Sequence, residues 1–138
     1  MVMGKLDQPL SEVLVKDIMS KSLISADPMT TVFQIAKLME KGEVGAILVK
    51  KNGSPAGIIT DRDFATKIAT QKHSFETPVD KVASYPLQTI NSNDSILVAA
   101  DKMCTKKIRK LAVVDGKKVI GIITSTDIVN RIAKMKTK

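Results

Sequence analysis

Residues Val15–Ala69 lie over Val79–Ala133 at a constant offset of 64, with no insertion or deletion anywhere along the overlay. An ungapped internal copy requires both halves to build the same backbone, with loops of equal length in equal places. Ser20 meets Ser84, Leu23 meets Leu87, Ala36 meets Ala100, Met39 meets Met103 and Val49 meets Val113. The longest shared stretch sets "GIITDRDF" at 57–64 over "GIITSTDI" at 121–128. Periodicity repeats as well. Val32, Ile35, Ala36 and Met39 fall opposite Ile96, Ala99, Ala100 and Met103, and each set is an i, i+3, i+4, i+7 stripe that predicts an amphipathic helix with Met39 and Met103 as core filler.

The two copies parse alike. A short extended piece ("SLIS", "PLQT") runs into the helix, with Asp27-Pro28 as cap and first-turn proline and Asn91 or Asp94 as the cap in the second copy. The helix ends near "KGE" or "TKK". An apolar strand follows ("VGAILV", "KLAVV"), then a turn at Asn52-Gly53 or Asp115-Gly116, a third strand ("AGIIT", "VIGIIT") and, directly, a second helix ("DRDFATKIA", "STDIVNRIA"). The expected class is α+β: two pseudo-symmetric repeats, each strand-helix-strand-strand-helix, packed as one compact module. The expected division is a leader at 1–12, repeats at 13–69 and 79–133, a linker "TQKHSFETP" at 70–78 and a basic tail at 134–138.

Composition narrows the function classes. With 138 residues, 43% hydrophobic and 26% charged, the chain is an ordinary globular one, long enough for one core or for two small units sharing one. No apolar run approaches the ~20 residues that span a bilayer, and "MVMGKLDQPLSEV" carries acid and proline where a secretion signal needs an apolar stretch, so a cytoplasmic location without membrane contact is expected. Cys104 is the only cysteine, which excludes an internal disulfide and a cysteine cluster for zinc. His73 lies in the linker, has no carboxylate or cysteine at helpful spacing and is given no role. The net charge of +8 favours anionic partners: nucleotide, nucleic acid or acidic protein. Basic residues gather in "KMCTKKIRK" (102–110) and "RIAKMKTK" (131–138), whereas Phe33, Phe64, Phe75 and Tyr85 make a thin stacking platform for single strands. Neither a GKS or GKT phosphate loop nor an HExxH is present, so no catalytic or metal-binding residue is assigned and an enzyme is not expected.

Where the third strand meets the second helix, Thr60 or Thr124 stands beside unpaired first-turn amides, a ready anion site. Three residues on, Asp63 or Asp127 offers two carboxylate oxygens to the hydroxyls of a ribose. The same Thr-x-x-Asp is a capping box that satisfies orphan amides and nothing more, and the residues alone leave both readings open. Gly57 and Gly121 suit close approach of backbone to a ligand. Arg62, which is Thr126 in the second copy, is a candidate phosphate clamp, and Arg109 and Lys110 precede the second copy's central strand.

The ungapped pair, the "VKDIM" opening and the strand-to-helix "GIITxxD" resemble a tandem of cystathionine β-synthase (CBS) domains, the pair often called a Bateman module, over about residues 13–135. The resemblance implies a disc-like half with two clefts, homodimerisation and binding of an adenosine nucleotide or other adenosyl ligand: AMP, ADP, ATP or S-adenosylmethionine. It sets Asp127 in a cleft with Lys16, Val44 and Gly45, and Asp63 in one with Asp80, Ile108 and Arg109. It also implies that the helices after "GIITxxD" meet another pair through Phe64, Ile68, Ile128 and Ile132. The resulting expectation is a stand-alone sensor with no cofactor beyond its regulatory nucleotide, acting in trans on an effector protein. A basic nucleic-acid-associated protein and a ligand-free structural subunit are the alternatives.

Overall fold

Each copy passes from a helical apolar stripe to a short continuous apolar run, and the backbone follows. The computed structural model describes residues 8–135, so residues 1–7 of the expected leader and 136–138 of the expected basic tail lie outside the described residues. In chain order the elements are α1 (Val15–Ile18), β1 (Ser25–Ala26), α2 (Val32–Gly42), β2 (Ala46–Lys51), β3 (Ser54–Thr60), α3 (Asp61–Asp63), β4 (Thr89–Asn91), α4 (Ile96–Lys106), β5 (Lys110–Asp115), β6 (Lys118–Thr124) and α5 (Ser125–Ala133). Helix α3 continues as a π-wound segment over Phe64–Ala69, and short 3-10 turns stand at Leu10–Glu12 and Val79–Lys81.

The strands form two three-stranded sheets of one design, ordered β1-β2-β3 and β4-β5-β6. In each, the short first strand runs parallel to the second and the second is antiparallel to the third. The registers superimpose on the offset of 64: Leu48 faces Ile58 as Ala112 faces Ile122, and a bulge falls at Val49/Lys50 and again at Val113/Val114. The hairpins differ in detail. Asn52 and Gly53 both have positive φ (53° and 80°), the two-residue turn that the strand twist favours. In the second hairpin Asp115 still pairs with Lys118, so the turn is Gly116-Lys117, one residue beyond the expected Asp115-Gly116, with the positive φ on Gly116.

The caps also fall elsewhere than expected. Helix α2 is capped by Thr31, whose hydroxyl accepts from the Gln34 amide at 3.2 Å, and α4 by Ser95, which accepts from the Val98 amide at 3.3 Å. Asp27, Asn91 and Asp94 precede these caps in a turn, where Thr30 donates to the Asp27 carbonyl and Asp94 to the Asn91 carbonyl. The residue before Pro28 is biased to extended backbone, which pushes the helix start past the proline.

The chain divides into two compact units. One is contiguous, Ser22–Gln88; the other is split, joining the residues up to Lys21 to those from Thr89 onward. Each unit therefore takes its leading segment from the other sequence copy. In the split unit, Val15 and Lys16 donate to the carbonyls of Asp94 and Ser92, and Ser20 exchanges two backbone hydrogen bonds with Ile122. In the contiguous unit, Val79 and Asp80 donate to Thr30 and Pro28, and Ser84 exchanges two with Ile58. The cores reflect this exchange. Val13 and Val15 are buried with Ile96, Ala99, Met103, Leu111 and Ile123, while Val79 and Val82 are buried with Val32, Ile35, Ile47 and Ile59.

Gly57 and Gly121 owe their place to the same exchange. A Cβ on Gly57 would stand 2.5 Å from the Tyr85 ring and 2.7 Å from the Ser84 carbonyl. One on Gly121 would stand 2.5 Å from Met19 Sδ and 2.8 Å from the Ser20 carbonyl. The space expected for a ligand is filled by the leading segment.

Candidate functional site

Both Thr-x-x-Asp turns close as capping boxes. The Thr60 amide donates to Asp63 Oδ2 at 2.8 Å, with the Thr60 hydroxyl 3.2 Å from the same oxygen. The Thr124 amide donates to Asp127 Oδ2 at 2.9 Å, and the Asp127 amide returns a bond to Thr124 Oγ1 at 3.1 Å. One carboxylate oxygen of each aspartate is thus committed to the helix start, and Oδ1 lies outside the box. The capping reading is met at both turns by Oδ2 alone.

The two turns differ beyond the box. Asp63 is buried, and Lys67 places its ammonium 3.6 Å from Asp63 Oδ1. The same ammonium donates to the Val82 carbonyl at 3.1 Å and to Ser84 Oγ at 2.8 Å. Asp127 is half-buried on a regular α-helix. Sequence reading singled out the carboxylates and missed Lys67. Its signal was present: a basic residue stands four positions after each aspartate, Lys67 and Arg131, and Arg131 is buried.

The expected site residues divide between the units. The split unit holds Lys16, Ile108, Arg109, Lys110, Thr124, Thr126 and Asp127; the contiguous unit holds Val44, Gly45, Thr60, Arg62, Asp63 and Asp80. In the split unit the Arg109 carbonyl accepts from the Ser125 amide at 2.9 Å, and Lys110 pairs with Thr124 across the sheet, so two cationic residues adjoin the Asp127 turn. The corresponding neighbours of the Asp63 turn carry no charge: the Gly45 carbonyl accepts from the Asp61 amide at 3.0 Å, and Ala46 pairs with Thr60. Exposed Lys16 lies on α1, which packs against α5. Arg62 and Thr126 are exposed on the first turns of their helices. Val44 and Ile108 each follow a left-handed helix-ending residue, Glu43 and Lys107, and pack against their unit's core.

Asp80 sits in a cluster of its own. The Tyr85 hydroxyl donates to Asp80 Oδ1 at 2.7 Å, and Lys51 stands 3.8 Å from that oxygen and 4.0 Å from the centre of the Tyr85 ring. Burial first, then the hydrogen bond to Asp80 and the nearby carboxylate charge, push the Tyr85 phenol up from 10.0 to about 12. His73 Nε2 lies 3.1 Å from Gln71 Oε1.

Among the four residues expected to meet a second copy, Ile68 and Ile128 are buried in their units' cores and Phe64 is half-buried against one. Ile132 is 47% exposed, beside Val129 at 61%. Ile68 turns inward on the π-wound segment, while its counterpart Ile132 turns out on the regular α5.

Among the described residues no group of three or more His, Cys, Asp or Glu is placed to hold a metal ion, and no helix is long and apolar enough to cross a membrane.

The family model described as the CBS domain matches residues 15–70 and again 79–134. The CBS domain-containing protein YhcV of Bacillus subtilis is 36% identical over 114 residues, covering 83% of this chain and 81% of its own. The CBS domain pair of protein MJ0100, solved in complex with 5′-methylthioadenosine and S-adenosyl-L-methionine, superposes with a TM-score of 0.78 at 28% identity, over 88% of this chain and 96% of that one. The hexameric CBS-CP12 protein from bloom-forming cyanobacteria superposes with a TM-score of 0.81 at 25% identity, over 87% and 71% of the two chains.

Proposed function

This chain belongs to the CBS domain family, with two copies of the domain, and on that premise we propose that it is a regulatory sensor that binds an adenosine nucleotide or related adenosyl ligand at its Thr-x-x-Asp turns. One observation carries the reading. At the start of α5, Asp127 keeps one carboxylate oxygen outside the capping box, and the turn's backbone is joined to that of two basic residues, Arg109 by the bond from the Ser125 amide and Lys110 by its pairing with Thr124. An acceptor suited to a ribose hydroxyl and residues suited to a phosphate thus belong to one turn. The adenosyl ligands of the MJ0100 pair support the class of ligand. The sensor is cytoplasmic and not an enzyme, and it passes its state to an effector protein in trans. It self-associates, with Val129 and Ile132 of α5 and Leu97 and Val98 of α4 as exposed apolar positions, an assembly that light scattering reads against the 15.0 kDa monomer. The hexameric relative supports assembly of some order.

Melting curves with AMP, ADP, ATP and S-adenosylmethionine test the reading. A ligand at ~100 times its dissociation constant adds ~2.7 kcal/mol, a rise of several degrees. Flat curves at millimolar concentration for all four overturn it.

A second reading rests on the distribution of charge. Among the described residues the split unit has eleven Lys and Arg against six Asp and Glu, and the contiguous unit eight against seven. A cationic unit of this kind suits a nucleic acid. Oligonucleotide binding that falls steeply with salt, in a chain that no adenosyl ligand stabilises, establishes that reading in place of the first.

A further inference from the structure

The ammonium of Lys67 lies between the carboxylate of the Thr-x-x-Asp turn and the backbone of the segment through which the chain leaves the contiguous unit. We propose that Lys67 is a positioning residue that relays the state of the Asp63 carboxylate to the segment 82–84. The relay itself is a property of the folded chain; its use as a signal rests on the nucleotide reading given above.

A lysine ammonium has three donor directions and no acceptor. Two are spent on fixed acceptors of the leading segment, the Val82 carbonyl and Ser84 Oγ, at 3.1 and 2.8 Å. The third side faces Asp63 Oδ1 at 3.6 Å, an ion-pair separation rather than a hydrogen bond. Asp63 cannot turn away, because Oδ2 is held by the Thr60 amide and hydroxyl. The pair is sheltered as well: the side chains of Asp63 and Lys67 are 13% and 34% exposed, so solvent screens it less than an open surface pair.

A hydroxyl that donates to Asp63 Oδ1 draws on the charge that steadies the lysine. The ammonium, no longer steadied by Asp63, holds Val82 and Ser84 less firmly, and the segment loses a side-chain restraint beside its pairing with Ile58. The amides that report this are Ala83, which donates to Val79, and Ser84, which donates to Ile58. Reciprocity requires the converse: a segment 82–84 already loosened favours the ligand. The π winding from Phe64 to Ala69 begins at the residue after Asp63 and contains Lys67, so the irregular turn lies between the two charges.

Hydrogen exchange at Ala83 and Ser84 in the full chain tests the relay in two arms. Without ligand, Asp63→Asn and Lys67→Met each speed exchange at these amides about fivefold, and the double variant does no more than the larger single change. Wild-type exchange in Asp63→Asn overturns the proposal whatever the ligand does. With AMP at saturation, exchange speeds in the wild type and in Lys67→Arg, which keeps charge and donors, but not in Lys67→Met. Bound AMP with unchanged exchange, or with the same change in Lys67→Met, also overturns it. If AMP fails to bind while the ligand-free arm shows coupling, the nucleotide reading falls and the relay stands.

Discussion

Two aspartates at equivalent positions do unequal work because their neighbours differ. Asp63 has its Oδ2 in a capping box and its Oδ1 facing Lys67, with uncharged Gly45 and Ala46 adjoining the turn. Asp127 has its Oδ2 in a box and Arg109 and Lys110 adjoining the turn. On the proposed nucleotide reading, Coulomb attraction is therefore expected to favour the more highly phosphorylated ligand at Asp127. Asp127→Ala is expected to cost roughly 3 kcal/mol, about a hundredfold in affinity, at the tighter site, and Asp63→Ala to affect a weaker one. Calorimetric titration of ATP and AMP into both variants decides this, and equal losses contradict it. Tyr85 offers a second residue-scale test, since it is the only tyrosine and the chain has no tryptophan, so phenolate absorbance reads it alone. Its folded pKa, about 12, lies above the ordinary 10.0, so the protonated phenol is the form that folding favours. Its contribution to stability is complete below pH 10 and disappears as pH rises toward 12. The native chain should titrate late and the unfolded chain near 10; Asp80→Asn should bring the native midpoint down, and a native midpoint at the unfolded value refutes the coupling.

Element by element, the sequence disclosed what depends on spacing and concealed what depends on contact. The stripe Val32, Ile35, Ala36, Met39 and its copy at 96–103 located α2 and α4, because a helix must put such positions on one face. The hairpin strands were equally legible. The helix caps were not: Asp27-Pro28 resembles a start signal, yet the turn it forms serves to accept bonds from Val79 and Asp80, and Thr31 and Ser95 cap instead. At the site, the Thr-x-x-Asp boxes and the basic residue four positions on were readable from local patterns, while the further partners of Lys67 and the Tyr85–Asp80–Lys51 cluster depend on the packing of a leading segment that no local pattern specifies. Gly57 shows the difference most clearly. Its spacing with Thr60 suggested room for a ligand, whereas the structure fills that room with Ser84 and Tyr85. Gly57→Ala should thus act as overpacking between β3 and the leading segment, destabilising by about 2 kcal/mol. Denaturant unfolding measures the loss, and Tyr85→Ala in the same chain should recover part of it. A loss that Tyr85→Ala leaves untouched, or no loss at all, contradicts this account of the glycine.

For the molecule as a whole, the exchange of leading segments means that a sequence repeat and a folding unit are different things. The copy at 13–69 contributes Val13 and Val15 to the split unit's core and lacks Val79 and Val82, which complete the core around Ile35, Ile47 and Ile59. Burying a valine side chain is worth about 1.5–3 kcal/mol, so the two missing valines withhold some 3–6 kcal/mol, most of what a domain of this size has to spare. The stretch Ser22–Gln88 keeps both valines, Tyr85, the Ser84–Ile58 bonds and all three strands in one uninterrupted chain. A fragment of residues 22–88 is therefore expected to show a cooperative thermal transition and dispersed amide resonances, while a fragment of residues 13–69, cut at the sequence repeat, stays unfolded under the same conditions. Adding residues 70–88 to the second fragment should restore the transition, because it returns Val79, Val82 and the strand-pairing Ser84. If 13–69 melts as cooperatively as 22–88, the leading segments are dispensable, and the reciprocal exchange does not govern how this chain folds.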